Sequence, residues 1–244
     1  MKFQPSLPTL SAAITVVAGL ATGAAAQVVA TSGGMFVPDT GTASFDYTLQ
    51  SAGNDIIVGT YIDNAYTPTN AMFAGDAPTV QVLDQRAALF YFADPAASGT
   101  VTFDLGGTTS PNGAYFIFEV ANVDDSLGFD TSTGAAITTT VDDRYVFNFV
   151  GANNTDGATL TTAANSITTL AGVSDSNGSI GGGSIGAAST DDAGVAGAKT
   201  LGFDGFGGGF QQGQVALALS VAVPEPTSVA MLGLGGLALL RRRR

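Results

Sequence analysis

Apolar and polar residues alternate with a period of two along most of this 244-residue chain. Phe45, Tyr47 and Leu49 interleave with Ser44, Asp46 and Thr48, and Val101, Phe103 and Leu105 with Thr102 and Asp104. Alternation sends every second side chain to one face, so it predicts half-buried antiparallel strands rather than helices. Residues 55–62 are rich in β-branched side chains, 115–120 and 145–150 follow a similar habit, and 88–92 is a short continuous apolar run. The last strand is predicted over 214–222, with Val215, Leu217, Leu219 and Val221 on one face and Ala216, Ala218 and Ser220 on the other. Turn formers punctuate these runs: Ala52-Gly53-Asn54, Ala74-Gly75-Asp76, Asp94-Pro95, Gly106-Gly107, Pro111-Asn112-Gly113 and the glycine-bounded stretch 151–157. Each supplies the positive φ or the fixed φ that a tight turn needs. The nearest approach to a helical window is 159–170, where the threonines favour strand or loop. Short strands at short spacing predict an all-β fold, a single β-sandwich of jelly-roll type.

Residues 180–209 break the pattern, with 11 glycines in 30 residues and few large side chains. They read as a long loop region on one edge of the sandwich, through which a strand can still thread at 199–203. No repeated Gly-Gly-x-Gly-x-Asp unit occurs, which sets aside a calcium-binding β-roll.

The two ends have their own logic. Lys2, the apolar run 10–20 and the small residues Ala24-Ala25-Ala26 read as a secretory signal peptide over 1–26, recognised at Ala24 and Ala26 and cut before Gln27. The β domain is expected over 27–222. At the other end, Val223-Pro224-Glu225-Pro226 precedes 12 apolar or glycine residues, 229–240, and then Arg241, Arg242, Arg243 and Arg244. A helix of that length covers about 18 Å, against a hydrocarbon core of roughly 30 Å. It reads as a short transmembrane helix, less than a comfortable span and so a temporary anchor, that flanking arginines can help to seat by snorkelling, with its basic end on the cytoplasmic side. The prolines favour an accessible, extended linker just outside the membrane.

Residues 223–244 resemble the PEP-CTERM sorting signal of Gram-negative bacteria: Pro-Glu-Pro, a hydrophobic segment and a basic end. The resemblance implies a protein exported by the Sec machinery and anchored transiently in the inner membrane. An exosortase would then process it for the cell surface or the extracellular space, in association with exopolysaccharide. The body is similar to β-sandwich modules of secreted proteins that carry such a tail, a likeness borne by residues 87–105.

Composition narrows the chemistry of the body. The chain has no Cys, His or Trp, so thiol nucleophiles, disulfides, Ser-His-Asp triads and imidazole metal sites are all excluded. Between residues 27 and 222, 19 acidic residues face three basic ones (Arg86, Arg144 and Lys199), a net charge near −16. Such a surface repels nucleic acid and anionic membranes.

The acidic pairs Asp124-Asp125, Asp142-Asp143 and Asp191-Asp192, and the group Asn153, Asn154 and Asp156, raise the question of calcium. Adjacent carboxylates on a strand point to opposite faces, so a pair is not a site, and no cofactor is expected. Glu119 is the only Glu of the body. It falls opposite the face of Phe116 and Phe118, and a glycosidase would need a second carboxyl within reach. No catalytic residues and no enzymatic activity are therefore expected. Tyr61, Tyr66 and Tyr91 are the candidate stacking platforms for the alternative reading, a lectin-like carbohydrate-binding module with or without calcium. The primary expectation is a structural or interaction role in an extracellular matrix.

Overall fold

A computed structural model describes residues 27–36, 41–62, 67–105, 113–153, 161–162, 171–176, 184–201, 203–204 and 210–220. Ala24–Pro224 form one compact unit. The signal segment, its cleavage residues Ala24 and Ala26, and the tail 223–244 lie outside the described residues.

The fold is all-β, with several antiparallel sheets. The first central sheet has the order β1 (Gln27–Phe36), β8 (Gly113–Ala121), β3 (Asp55–Ile62), β6 (Ala87–Phe92), β5 (Val80–Asp84). The second has the order β13 (Ala171–Ser176), β14 (Ser184–Asp192), β11 (Tyr145–Asn153), β17 (Phe210–Leu219), β9 (Phe129–Thr133). Three smaller sheets accompany them: β2 (Thr42–Thr48), β7 (Ser98–Asp104) and β4 (Thr69–Phe73); β10 (Ala136–Thr139) with β15 (Gly197–Thr200); and β12 (Thr161–Thr162) with β16 (Phe203–Asp204). A 3-10 turn, η1 (Asp125–Leu127), leads from β8 into β9.

Side-chain alternation explains how these sheets stack. Odd-numbered positions of β3 and β6 (Ile57, Tyr61, Leu89, Tyr91) join Phe116 and Phe118 of β8 against Phe147 and Phe149 of β11 and Val215, Leu217 and Leu219 of β17. The even-numbered positions (Ile56, Val58, Ala88, Phe90, Phe92) and Ile117 pack instead on the three-stranded sheet, against Phe73, Val101 and Phe103. Behind the second sheet, Val146, Ala216 and Ala218 meet Ile137 and Leu201 near the β10–β15 pair. The central strands are thus covered on both faces, and β3 and β6 are buried at every position. The expectation of half-buried strands holds for β2 and β7, whose outward residues are polar. It fails for β3 and β6, because a third sheet covers the face that a two-sheet sandwich would leave wet.

Two further expectations are corrected. Gly151 was expected to open a turn, but it lies inside β11, paired to Gly186 and Gly213. The region 180–209 is not one loop: β14 crosses it, hydrogen-bonded to β11 on one side and β13 on the other. Backbone pairing on two edges holds a strand that is poor in large side chains. β15 and β16 bracket the predicted alternation at 199–203.

Candidate functional site

The described body contains two buried carboxylate centres, one on each side of the first sheet. At the first, Glu119 of β8 is fully buried (0 % exposed) on the side of the three-stranded sheet. Its Oε1 accepts hydrogen bonds from Asn54 Nδ2 (2.5 Å), Ser51 N (3.1 Å) and Gln50 N (3.0 Å). Its Oε2 accepts from Gln50 N (2.8 Å) and Tyr47 Oη (3.0 Å). Burial alone would raise its pKa, but these donors outweigh burial and hold the carboxyl below the ordinary range. The carboxylate is ionised and its lone pairs are engaged. It pins the turn after β2 near the C-terminal end of β8, and in its ionised form it lacks the proton that a general acid must carry.

At the second centre, Asp55 opens β3 and Tyr91 lies near the end of β6. The fully buried Tyr91 hydroxyl is 2.9 Å from Asp55 Oδ2 and 2.7 Å from Asp125 Oδ1 of η1. Asp55 Oδ1 accepts the Asp94 backbone N–H at 2.8 Å. Burial pushes the Asp55 carboxyl above the ordinary range, with Asp125 and Asp94 adding charge repulsion. The bonds from Asp94 N–H and Tyr91 pull the other way and do not prevail. Burial, reinforced by both aspartates, also raises the Tyr91 phenol, so it stays protonated. The Asp94–Pro95 turn, read from sequence as a turn, places Asp94 at φ 45° beside this centre.

Several other acidic residues of the described set have structural partners. Asp124 caps η1 by accepting Ser126 N at 3.0 Å. Asp142 Oδ1 accepts Ala196 N at 2.7 Å. Asp130 accepts both Thr140 N and Thr140 Oγ1. Beside it stands Arg144, 1 % exposed, whose guanidinium donates to the carbonyls of Gly128 (2.6 Å), Leu127 (2.9 Å) and Ala218 (3.2 Å). Its Nε lies 3.0 Å from Asp130 Oδ2, an ion-pair contact without hydrogen-bond alignment. Among the described residues no group of three or more acidic side chains could hold a metal ion. The side chains of Asp191, Asp192 and Asn153, and residues Asn154 and Asp156, lie outside the described set.

The candidate stacking platforms fare differently from expectation. Tyr61 and Tyr91 are both 0 % exposed, packed in the core between the two large sheets, so neither presents a face to a sugar. Tyr66 lies outside the described residues. Sequence reading missed Asp55 and Arg144 as key polar residues. Arg144 carried a usable signal, being one of only three basic residues in the body and directly preceding an apolar strand. Asp55 carried none, since its partners are 36 and 39 residues away along the chain.

Comparison with known proteins places the functional signal elsewhere. Residues 222–244 match the PEP-CTERM protein-sorting motif. The match contains Val223, Pro224, Glu225 and Pro226 and the terminal Arg241, Arg242, Arg243 and Arg244. A tail of this kind marks an exported protein that an exosortase processes. No curated protein and no solved structure matches the chain.

Proposed function

We propose that this chain is an exosortase-processed protein of the cell surface or extracellular matrix, with a structural or interaction role among exopolysaccharide rather than an enzymatic one. Its sorting tail carries the reading. Residues 1–26 direct Sec export, residues 229–240 halt the chain in the inner membrane, and Pro224-Glu225-Pro226 present the adjoining linker to the exosortase. The part displayed after processing is the acidic β body, 27–222, as a sandwich of jelly-roll type with a further sheet against it. Support for a non-enzymatic role comes from the chemistry of the body. It has no His or Cys, and its only Glu is ionised and bound within the fold.

The test is processing itself. In an exosortase-competent host, intact-mass measurement of the mature protein should show the loss of Arg241–Arg244 and the apolar run before them. Deleting residues 223–244 should abolish the step and leave the body soluble in the periplasm or the medium. Full-length protein that retains its arginines at steady state in that host would overturn the reading.

A further inference from the structure

The second carboxylate centre has a proton-count problem, and its solution is a device. A phenol carries one hydrogen. The Tyr91 hydroxyl nevertheless lies within hydrogen-bond distance of two carboxyl oxygens, Asp55 Oδ2 at 2.9 Å and Asp125 Oδ1 at 2.7 Å. If both acids were ionised, one short contact would set an anionic oxygen against a phenol lone pair, in a site where Tyr91 is 0 % and Asp55 8 % exposed. An uncompensated buried charge of that kind is costly.

Among the described residues, none of the charged groups that act on Asp55 is a cation. Asp55 comes from β3, Tyr91 from β6, Asp94 from the turn after β6, and Asp124 and Asp125 from the η1 segment, while β9 contributes the ring of Phe129, 5.0 Å from that of Tyr91. Arg144, at the start of β11, directs its guanidinium to the carbonyls of Leu127, Gly128 and Ala218 and to Asp130.

We propose that Asp55, Tyr91 and Asp125 form a proton-dependent clasp that fastens the η1 segment to the end of the first central sheet. In the closed state Asp55 is the acid. Its Oδ2–H donates to the Tyr91 oxygen, and the Tyr91 O–H donates to Asp125 Oδ1. Asp55 Oδ1 stays free to accept the Asp94 N–H, as observed at 2.8 Å. Every hydrogen then has one acceptor, and the two short contacts are both satisfied. Removal of the Asp55 proton deprives Tyr91 of its donor and puts two carboxylates in competition for one hydrogen. Asp125, on an exposed three-residue turn, is the partner free to leave.

The sign follows from the direction in which Asp55 is perturbed. Its acid form is favoured in the fold, so the clasp is complete below the ordinary carboxylate range. It weakens as pH rises through the elevated value. The segment η1 is therefore held in acid and loosens as pH rises.

Hydrogen exchange of the full-length protein at pH 4.5 and 7.5, corrected for intrinsic rates and read at the amides of Ser126, Leu127 and Gly128, tests this directly. Protection should fall at the higher pH, by up to about tenfold for each unit by which closure raises the Asp55 pKa. Asp55→Asn supplies a permanent donor to Tyr91 in an isosteric side chain. It should keep the acid-level protection at both pH values. Tyr91→Phe should lose protection at both. A carboxyl-carbon NMR titration of the wild type needs no variant and should show one acid of the pair titrating above the normal aspartate range. Equal protection at the two pH values, a pH dependence that survives Asp55→Asn, or ordinary titration of both carboxyls would each overturn the proposal. Tail processing is read separately, so failure here leaves the sorting assignment standing.

Discussion

Glu119 and Asp55 are carboxyls of one sheet, both 8 % exposed or less, and they are driven in opposite directions by what surrounds them. Glu119 meets two backbone N–H groups, an amide and a phenol, all of which are donors. Asp55 meets one backbone N–H and a phenol shared with another acid. Burial pushes both upward, and only at Glu119 are there enough donors to reverse the direction. Glu119→Gln turns an amide toward donors that already need an acceptor, so it should cost on the order of 2–4 kcal/mol at neutral pH. The carboxylate's contribution is present above the ordinary Glu pKa and is lost as pH falls through its depressed value. Thermal melts of wild type and Glu119→Gln should therefore converge in strong acid and separate as pH rises. A constant gap across pH would mean that the variant acts through packing instead.

Between the two large sheets, β3 and β11 fit by a reciprocal exchange of aromatic rings and missing side chains. Tyr61 of β3 covers Gly151 of β11, where a Cβ would come within 1.8 Å of the Tyr61 ring. Phe149 of β11 covers Gly59 of β3, where a Cβ would come within 2.6 Å of the Phe149 ring. Since 59 and 61, like 149 and 151, share a strand face, each strand offers one ring and one hollow at a two-residue spacing. Gly151→Ala should thus destabilise the fold by about 1–3 kcal/mol in urea unfolding, through overpacking rather than turn strain. Adding Tyr61→Leu should recover part of the loss, as non-additivity in a double-mutant cycle. The contact also shows where the sequence was opaque. Phe45, Tyr47 and Leu49 announced their strand because alternation is local. The reading of Gly151 as a turn failed because what excludes its side chain is Tyr61, 90 positions away. In the same way the run 88–92 was visibly apolar, yet only the stacking of a third sheet shows that both of its faces are buried. Glu119 was legible as unusual by being alone, but the donors that fix its charge lie 65–72 residues back.

Over the whole body, roughly 16 uncompensated negative charges follow from the sequence, and of the three basic residues Arg144 is already buried. Compact folding brings these charges together, so self-repulsion opposes it. The Debye length shortens from about 30 Å at 10 mM salt to about 10 Å at 100 mM, which screens repulsion between surface aspartates but hardly touches the buried centres. The melting temperature of the full-length protein should therefore rise with sodium chloride over this range. Each kcal/mol of relief corresponds to about 2–4 °C for a chain of this size. Divalent cations extend the argument. Among the described residues, Asp55, Asp124, Asp125, Asp130 and Asp142 accept hydrogen bonds within the fold, and no group of three acids is arranged to hold a metal ion. For that part of the body, calcium and magnesium at matched ionic strength should raise the melting temperature equally, as diffuse counter-ions. Scanning calorimetry with each cation in turn separates the alternatives: an extra rise with calcium would locate a coordinating site beyond these strands and revive the calcium-dependent reading, whereas equal curves assign the stabilisation to screening of the acidic surface.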